Sequence, residues 1–188
     1  MTLAAVQTLP IKLNLGCGSD IRRGYVNVDI YGSPDVRLDL NSDWPWADNS
    51  VLEVQMIHVL EHLPDTVSVM KKLYRVCADG AKVHIVVPHP RNDDYLSDPT
   101  HVSPITLRTI MLFSRRICEK RQKAKNADTP LALIHGVDFE MTEGMLNLES
   151  KYLEKLSKGE ISKETMEEYA LLYSNVIKES EMTLRVCK

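Results

Sequence analysis

The feature that most constrains the fold of this chain is a glycine-containing turn between two short apolar segments. Ile11 to Leu15 runs into Gly16-Cys17-Gly18, and Tyr25 to Ile30 follows with Asp29 near its end. The order is a buried strand, a glycine turn and a second strand that ends in a carboxylate. A parallel α/β sheet uses this arrangement to hold a nucleoside-bearing cofactor at its carboxyl edge. The pattern therefore predicts a cofactor before it predicts a reaction.

The connection between the first two predicted strands is short. Only about nine residues (16–24) separate them, whereas a parallel crossover normally needs about a dozen or more, usually including a helix. We therefore expect the first crossover helix to be reduced to a turn. The dinucleotide fingerprint also needs a third glycine, where Ile21 stands, and an acidic residue further on than Asp29. Both features disfavour a pyrophosphate-bearing cofactor, although the glycine pair by itself also fits an ordinary tight turn.

Further segments predict a mostly parallel sheet covered by helices. Helix Thr66–Cys77 is expected to end at Asp79-Gly80 with a left-handed cap. Residues 131–148 alternate loosely and are a candidate strand. The other predicted strands cover 35–40, 51–59, 81–87 and 176–186, and the other predicted helices cover 103–122 and 149–174, the second interrupted near Gly159.

Composition and charge exclude several classes of function. The 188 residues carry a formal net charge of −3, so the chain lacks the basic footprint of a nucleic-acid-binding protein. No apolar run is long enough to span a membrane, and Met1 to Pro10 does not have the pattern of a secretory signal. The cysteines are widely spaced, which predicts reduced thiols in a cytoplasmic protein; they are Cys17, Cys77, Cys118 and Cys187.

Several motifs between residue 12 and about residue 106 follow one another in a fixed order. They are Lys12 to Gly18, Gly24 to Ile30, Asp39-Leu40, Trp44 to Ser50, His58 to Leu63, Leu73 to Val76 with Asp79-Gly80, Val83 to Pro88, and Asp98 to His101. In combination they resemble the class I S-adenosylmethionine-dependent methyltransferases, of the short type 11-like kind with an Asn-Leu-Gly-Cys-Gly loop. The resemblance implies one Rossmann-like α/β domain over residues 1–188, with a doubly wound, mostly parallel seven-stranded sheet whose last strand is antiparallel.

The resemblance also implies the cofactor, S-adenosyl-L-methionine, and the residues that contact it. Asp29 would accept hydrogen bonds from both ribose hydroxyls, and Asp39 would receive the adenine amino group. Asn14 departs from the acidic residue that many relatives have at this position. The implied cofactor contacts are Asn14, Gly16, Cys17, Gly18, Asp29, Ile30, Asp39, Leu40 and His58.

Two histidines are the candidate catalytic residues. His62 and His101 have side chains whose ordinary pKa lies near neutrality, which suits a general base for a hydroxyl acceptor. Asp98 could orient His101; the alternative is that His101 is a surface residue in a proline-containing loop. His84, inside a predicted strand, is expected to be structural. The expected acceptor is a hydroxyl of a glycan or a small metabolite.

The segment His58 to His62 admits other interpretations. Its His-x-x-Glu-His pattern matches a zinc hydrolase, which needs both histidines on one helical face, whereas Pro64 limits any helix here. Small-RNA 2′-O-methyltransferases hold a divalent ion with a similar segment and a later histidine, corresponding to His58, Glu61, His62 and His101. A hard ion would prefer a carboxylate where His58 stands, so no metal site is assigned. In the simplest alternative, Glu61 and His62 bond to each other or to the neighbouring backbone.

Some expectations concern the surroundings of the site. Little sequence precedes the first strand, so we expect an open site, or one closed by Asp93 to Ile110 or by a second subunit, which makes a homodimer a candidate assembly. Trp44 and Trp46 could cover the adenine or pack in the core. The basic residues from 115 to 125 are a solvated helix end or a site for an acidic partner. A non-catalytic module that binds S-adenosylmethionine is the alternative function.

Overall fold

Strands and helices form a seven-stranded sheet in the computed structural model, which describes residues 11–188. The strands are β1 Ile11–Leu15, β2 Val26–Asp29, β3 Val36–Arg37, β4 Val51–Ile57, β5 Cys77–Pro88, β6 Phe139–Leu148 and β7 Ile177–Val186. The helices are α1 Thr66–Val76, α2 Asp93–Leu96, α3 Leu107–Met111, α4 Arg115–Lys123, α5 Leu131–His135, α6 Ser150–Ser157 and α7 Lys163–Leu172, with a 3₁₀ turn at Leu60–His62. The prediction about a secretory signal falls on Met1 to Pro10, outside the described residues.

The strand order is β3-β2-β1-β4-β5-β7-β6. β7 pairs antiparallel with both β5 and β6, and the remaining pairs are parallel, so six strands share one direction. The chain moves outward from β1 on one side and from β4 on the other, which is the doubly wound order. The predicted Rossmann-like, mostly parallel sheet with an antiparallel last strand is confirmed. Within residues 11–188, no helix is long and apolar enough to cross a membrane.

The chain forms no helix between β1 and β4. Residues 16–25 connect β1 to β2 through turns, as predicted, and loops join β2 to β3 and β3 to β4. Right-handed crossovers that leave a sheet centre in opposite directions place their helices on opposite faces. The crossovers after β1 and β2 would place their helices on one face of the sheet, and these helices are missing. The crossover after β4 uses the opposite face, where α1 is present.

The hydrophobic core lies on one face of the sheet. Leu13 of β1, Val54 of β4 and Ile85 of β5 are fully buried and belong to the same apolar cluster as Leu73 of α1 and Phe113 after α3. Burying a side chain of this size contributes about 1.5–3 kcal/mol. This layer therefore holds the sheet to its helices.

The alternate strand positions form a polar sheet face, defined by Lys12, Asn14, Glu53, Gln55, His84 and Glu181. Five of these side chains pair with one another, and the sixth, Asn14, bonds to Asp20 and Asn27. Lys12 Nζ lies 2.7 Å from Glu53 Oε2. The two ring nitrogens of His84 lie 2.8 Å from Gln55 Oε1 and 3.0 Å from Glu181 Oε1. Hydrogen-bonded polar groups thus cover the sheet face from which the crossover helices are missing. His84 is structural, as predicted, because it links Gln55 to Glu181 on this face.

The loop between β3 and β4 packs two tryptophans into the core. Trp44 and Trp46 are buried and cross edge to face, with ring centroids 5.8 Å apart. Arg75 of α1 fixes this loop, because its guanidinium donates to the carbonyls of Trp44 (2.8 Å) and Trp46 (2.9 Å) and to Asp48 (2.8 Å). Both tryptophans therefore serve packing, the second of the two predicted roles.

Replacing Arg75 with methionine is expected to destabilise the protein by about 1.5–3 kcal/mol, the range for hydrogen bonds to a charged group. The surface pair with Asp48 adds little, so the loss comes from the two carbonyls. Urea unfolding measures the change. Lys71→Met, at an exposed position of the same helix, is the matched control and should leave the unfolding free energy within about 0.5 kcal/mol of the wild type. Equal losses in both variants would contradict the role given to Arg75.

Several element boundaries differ from the sequence predictions. The helix predicted over 103–122 is two helices. Phe113 is fully buried between them, Thr106 caps the start of α3, and Asp138 accepts from the first amide of α4. α1 ends at Val76 rather than at Asp79-Gly80, because the chain is already extended at Cys77 and enters β5 directly. The candidate strand 131–148 begins with α5, which ends at the left-handed Gly136 (φ 64°), and only then becomes β6. The interruption near Gly159 is confirmed.

Candidate functional site

A cavity of about 490 Å³ opens at the carboxyl edge of β1, β2 and β4. Its size falls within the range of about 300–1,000 Å³ that is typical of small-molecule sites. Six predicted cofactor contacts line it: Gly16, Asp29, Ile30, Asp39, Leu40 and His58. The wall also contains the candidate catalytic residue His62 and six residues that were not predicted to contact the cofactor: Tyr31, Leu38, Asn41, Val59, Leu63 and Thr100.

Gly16 lies where the turn after β1 passes closely over Val59, the second residue after β4. Its φ is +64°, and a Cβ built there would lie 2.4 Å from Val59 Cγ2. No other residue type fits this position without movement of Val59. The glycine therefore fixes the approach of the turn to β4, on the wall of the cavity. Gly18 has a φ of +49°, but an added Cβ would meet nothing within 4 Å.

Asp29 joins the glycine turn to the end of β2. Its Oδ2 accepts from the Gly18 amide (2.8 Å) and its Oδ1 from the Tyr31 amide (2.9 Å). A carboxylate offers about four lone-pair sites, so each oxygen can accept one more donor from the cavity. Asp39 is arranged similarly, with Oδ1 accepting from the backbone (2.8 Å) and the side chain (3.0 Å) of Asn41.

Three predicted cofactor contacts lie off the cavity wall. Asn14 is 2% exposed, and its amide donates to the Asp20 carbonyl (2.6 Å) and to Asn27 Oδ1 (3.0 Å). Asn14 therefore stabilises the turn through its side chain, and its predicted contact with the cofactor stays a prediction. Cys17 is buried, and burial raises the pKa of its thiol, in keeping with a packing role. Gly18 contributes through its hydrogen bond to Asp29.

His58 forms part of two cavities. It has a left-handed φ of 54° at the end of β4, a conformation uncommon for a residue with a side chain. A second cavity, of about 280 Å³, adjoins the first at this residue. Its lining residues are His58, Pro88, Asp94, His101, Lys178 and Glu179. Asp94, Lys178 and Glu179 belong to no motif recognised in the sequence.

The His58 imidazole lies between two carboxylates. Its Nδ1 is 3.5 Å from Glu61 Oε1 and its Nε2 is 3.1 Å from Glu179 Oε1. Glu61 first, and Glu179 after it, raise the pKa of His58 against the opposing effect of partial burial. His58 precedes the 3₁₀ turn Leu60–His62 rather than sharing a helix with His62. The geometry that the zinc hydrolase pattern requires is therefore not formed.

The two candidate catalytic histidines meet at the boundary between the cavities. The rings of His62 and His101 are 4.7 Å apart, and one ligand atom from each lies within 4.8 Å of the other and of a Glu61 oxygen. The His101 side chain is 9% exposed, so it is not a surface residue. Its Nδ1 bonds to the Tyr95 carbonyl at 2.9 Å, whereas Asp98 is 3.8 Å from its Nε2. The Tyr95 carbonyl, rather than Asp98, therefore orients His101.

Glu61 is fully buried, yet neither of its carboxylate oxygens has a hydrogen-bond partner among the described residues. The bond expected between Glu61 and His62 is absent, because His62 Nδ1 bonds to Thr100 Oγ1 at 2.9 Å. Asp94 and His101 line the smaller cavity and Thr100 lines the larger one, and all three lie within the segment that was predicted to close the site.

Comparison with known proteins gives matches in structure only. No protein-family model matches the chain, and no curated protein matches its sequence. A SAM-dependent methyltransferase from Archaeoglobus fulgidus shares 17% identity over 95% of this chain and 86% of its own, with a TM-score of 0.61. Phosphoethanolamine N-methyltransferase 2 from Haemonchus contortus, in complex with S-adenosyl-L-methionine, shares 15% identity over 98% of this chain and half (50%) of its own, with a TM-score of 0.53. The YcgJ protein from Bacillus subtilis shares 11% identity over 94% and 91%, also with a TM-score of 0.53. The chain therefore has the fold of the class I S-adenosylmethionine-dependent methyltransferases.

Proposed function

We propose that the chain is an S-adenosylmethionine-dependent methyltransferase that binds the cofactor in the larger cavity and the acceptor in the smaller one. The observation that carries the proposal is the meeting of two cavities at His58, at the carboxyl edge of a sheet with the methyltransferase strand order. A reaction between two bound molecules needs such adjoining sites, since holding the reactants in line supplies most of the acceleration.

The lining of the larger cavity suits the adenine, the ribose and the methionine portion of the cofactor in turn. Leu38 and Leu40 offer an apolar surface to the adenine ring beside the carboxylate of Asp39. Asp29 accepts hydrogen bonds from the ribose hydroxyls through the sites that its backbone partners leave open. The methionine portion then lies along the turn at Gly16 and points its methyl group towards His58.

The smaller cavity suits a small polar acceptor. Its wall carries carboxylates from Asp94 and Glu179 and the ammonium group of Lys178, so an acceptor with hydroxyl and charged groups would find partners there. In the transfer, the methyl carbon leaves the sulfonium sulfur and bonds to the acceptor oxygen, while the hydroxyl proton leaves to a base or to water. His62 and His101 lie where the hydroxyl would be held, which favours a hydroxyl of a small metabolite or a terminal sugar.

Calorimetry with S-adenosylmethionine and its demethylated product tests the first half of the proposal, and we expect one binding site for each. Transfer of label from [methyl-³H]S-adenosylmethionine to small molecules in a cell extract tests the second half. Binding with no labelled product would favour the non-catalytic module. Absence of binding for both compounds would overturn the proposal.

A further inference from the structure

From the geometry of Glu61, His62 and His101 we infer a binding site for one divalent transition-metal ion between the two cavities. The three side chains come from the 3₁₀ turn after β4 and from the loop before α3. Each offers a ligand atom within 4.8 Å of the other two. Zinc and similar ions are commonly held by two imidazoles and a carboxylate, with a further position left open.

The buried carboxylate is the first observation that carries this inference. Glu61 is 0% exposed, and within residues 11–188 neither of its oxygens has a hydrogen-bond partner. The nearest basic group, His58 Nδ1, lies 3.5 Å away, which is too far for a hydrogen bond of normal strength. Buried charges are normally paired or coordinate metals, and an uncompensated one is strongly destabilising. A cation between Glu61 and the histidines would satisfy it.

The backbone supports this arrangement. The Glu61 carbonyl accepts from the amides of Val102 (2.9 Å) and Ser103 (3.0 Å). These bonds fasten the loop that carries His101 directly to the turn that carries Glu61 and His62. The three side chains are therefore held near one another by the main chain, before any ion is added.

The orientation of both histidines is the second observation. The Tyr95 carbonyl can only accept, so the bond at 2.9 Å places the proton of His101 on Nδ1. The single proton of Thr100 Oγ1 is donated to Asp98 Oδ1 at 2.6 Å, so this hydroxyl must accept from His62 Nδ1. Because Nδ1 is the donor in both rings, Nε2 is the nitrogen left free to bind an ion. Fixing a ligand imidazole by a hydrogen bond from its other nitrogen is the usual outer-shell arrangement of metal-binding histidines.

The donor set determines the kind of ion. Two imidazoles and one carboxylate suit Zn²⁺, Co²⁺ or Fe²⁺ better than Mg²⁺ or Ca²⁺, which prefer oxygen ligands throughout. These three ligands differ from the four residues that correspond to the metal site of the small-RNA 2′-O-methyltransferases. His58, the fourth residue, lies outside the cluster and faces Glu179. His62 lines the larger cavity and His101 the smaller, so an open position would face a bound acceptor oxygen. That last role depends on the proposed function, whereas the ion site itself depends only on the three side chains.

The full chain, freed of metal by chelation and then desalted, tests the inference with Zn²⁺ and Mg²⁺ in separate titrations. We expect one Zn²⁺ per chain by elemental analysis, a raised melting temperature with Zn²⁺ and little change with Mg²⁺. Co²⁺ in place of Zn²⁺ should give the visible absorption of a four- or five-coordinate ion. These readouts need neither S-adenosylmethionine nor an acceptor, so they can fail while methyl transfer stands, or succeed without it.

Glu61→Gln, His62→Gln and His101→Gln should each weaken Zn²⁺ binding by at least about 10-fold. Three separate variants are used so that a folding defect in one leaves two to decide. His135→Ala, which removes a histidine from α5, is the control and should bind Zn²⁺ as the wild type does. No retained Zn²⁺ in the wild type, or equal affinity in all four variants, would overturn the site.

Discussion

Replacement of Asp29 with alanine is expected to weaken the binding of S-adenosylmethionine by about 1.5–3 kcal/mol, or roughly 10- to 150-fold. Two effects act together. The ribose hydroxyls lose a charged acceptor, and the amides of Gly18 and Tyr31 lose the carboxylate that positions them. Calorimetry of the variant beside the wild type measures the loss. The demethylated product should lose affinity by a similar factor, because it carries the same ribose.

The matched control is Asp43→Ala. Asp43 is an exposed carboxylate of the loop before β4 and does not line the cavity. Its removal changes the net charge by the same amount, so any general electrostatic effect on binding appears in both variants. Affinity that is unchanged in Asp29→Ala, or equally reduced in Asp43→Ala, would show that the ribose does not bind at Asp29.

Gly16→Ala should have the largest effect on folding stability. A left-handed φ costs a residue with a side chain about 1–2 kcal/mol, and the new Cβ would lie 2.4 Å from Val59 Cγ2. Overpacking of this kind adds about 1–3 kcal/mol, so a total loss of roughly 2–5 kcal/mol is expected in urea unfolding. The turn must shift to relieve the contact, and cofactor affinity should fall with it.

Gly18→Ala separates the two contributions. Gly18 has a similar left-handed φ, but an added Cβ there meets nothing within 4 Å, so only the conformational cost of about 1–2 kcal/mol should appear. Adding Val59→Ala to Gly16→Ala removes the two shortest contacts and leaves one to Val59 Cβ at 3.2 Å. The double variant should therefore recover part of the loss. Equal losses at both glycines would mean that contact with Val59 does not constrain the turn.

The local part of the site could be predicted from the sequence. Asp29 follows the glycine turn within one strand–turn–strand unit, and Asp39 follows the next strand, so a few short connections are enough to bring them to one edge. His62 and His101 belong to separate motifs, and the structure brings their rings within 4.7 Å of each other, while their catalytic role stays a prediction. The structure adds that the backbone of Glu61 fastens the two segments together.

The acceptor side could not be predicted in this way. Lys178 and Glu179 lie on β7, which reaches the site only because it inserts antiparallel between β5 and β6. Charged residues at the start of a strand look like ordinary surface residues in a sequence. The break at Phe113 was missed for a related reason. The apolar spacing continues through it, whereas the packing of Phe113 into the core interrupts the helix between α3 and α4.

The polar sheet face has a consequence for how strand sequences of such proteins are interpreted. β1 alternates in hydropathy from Lys12 to Leu15, a period-two pattern that is typical of antiparallel sheets with one solvated side, although both neighbours of β1 are parallel. The alternation thus depends on whether helices cover one or both faces of a strand. It does not indicate whether the neighbouring strands are parallel or antiparallel. Loss of a crossover helix therefore has to be accompanied by polar residues at every second strand position. Loss of the helix alone would leave apolar surface in water, and the polar residues alone would leave charged groups buried.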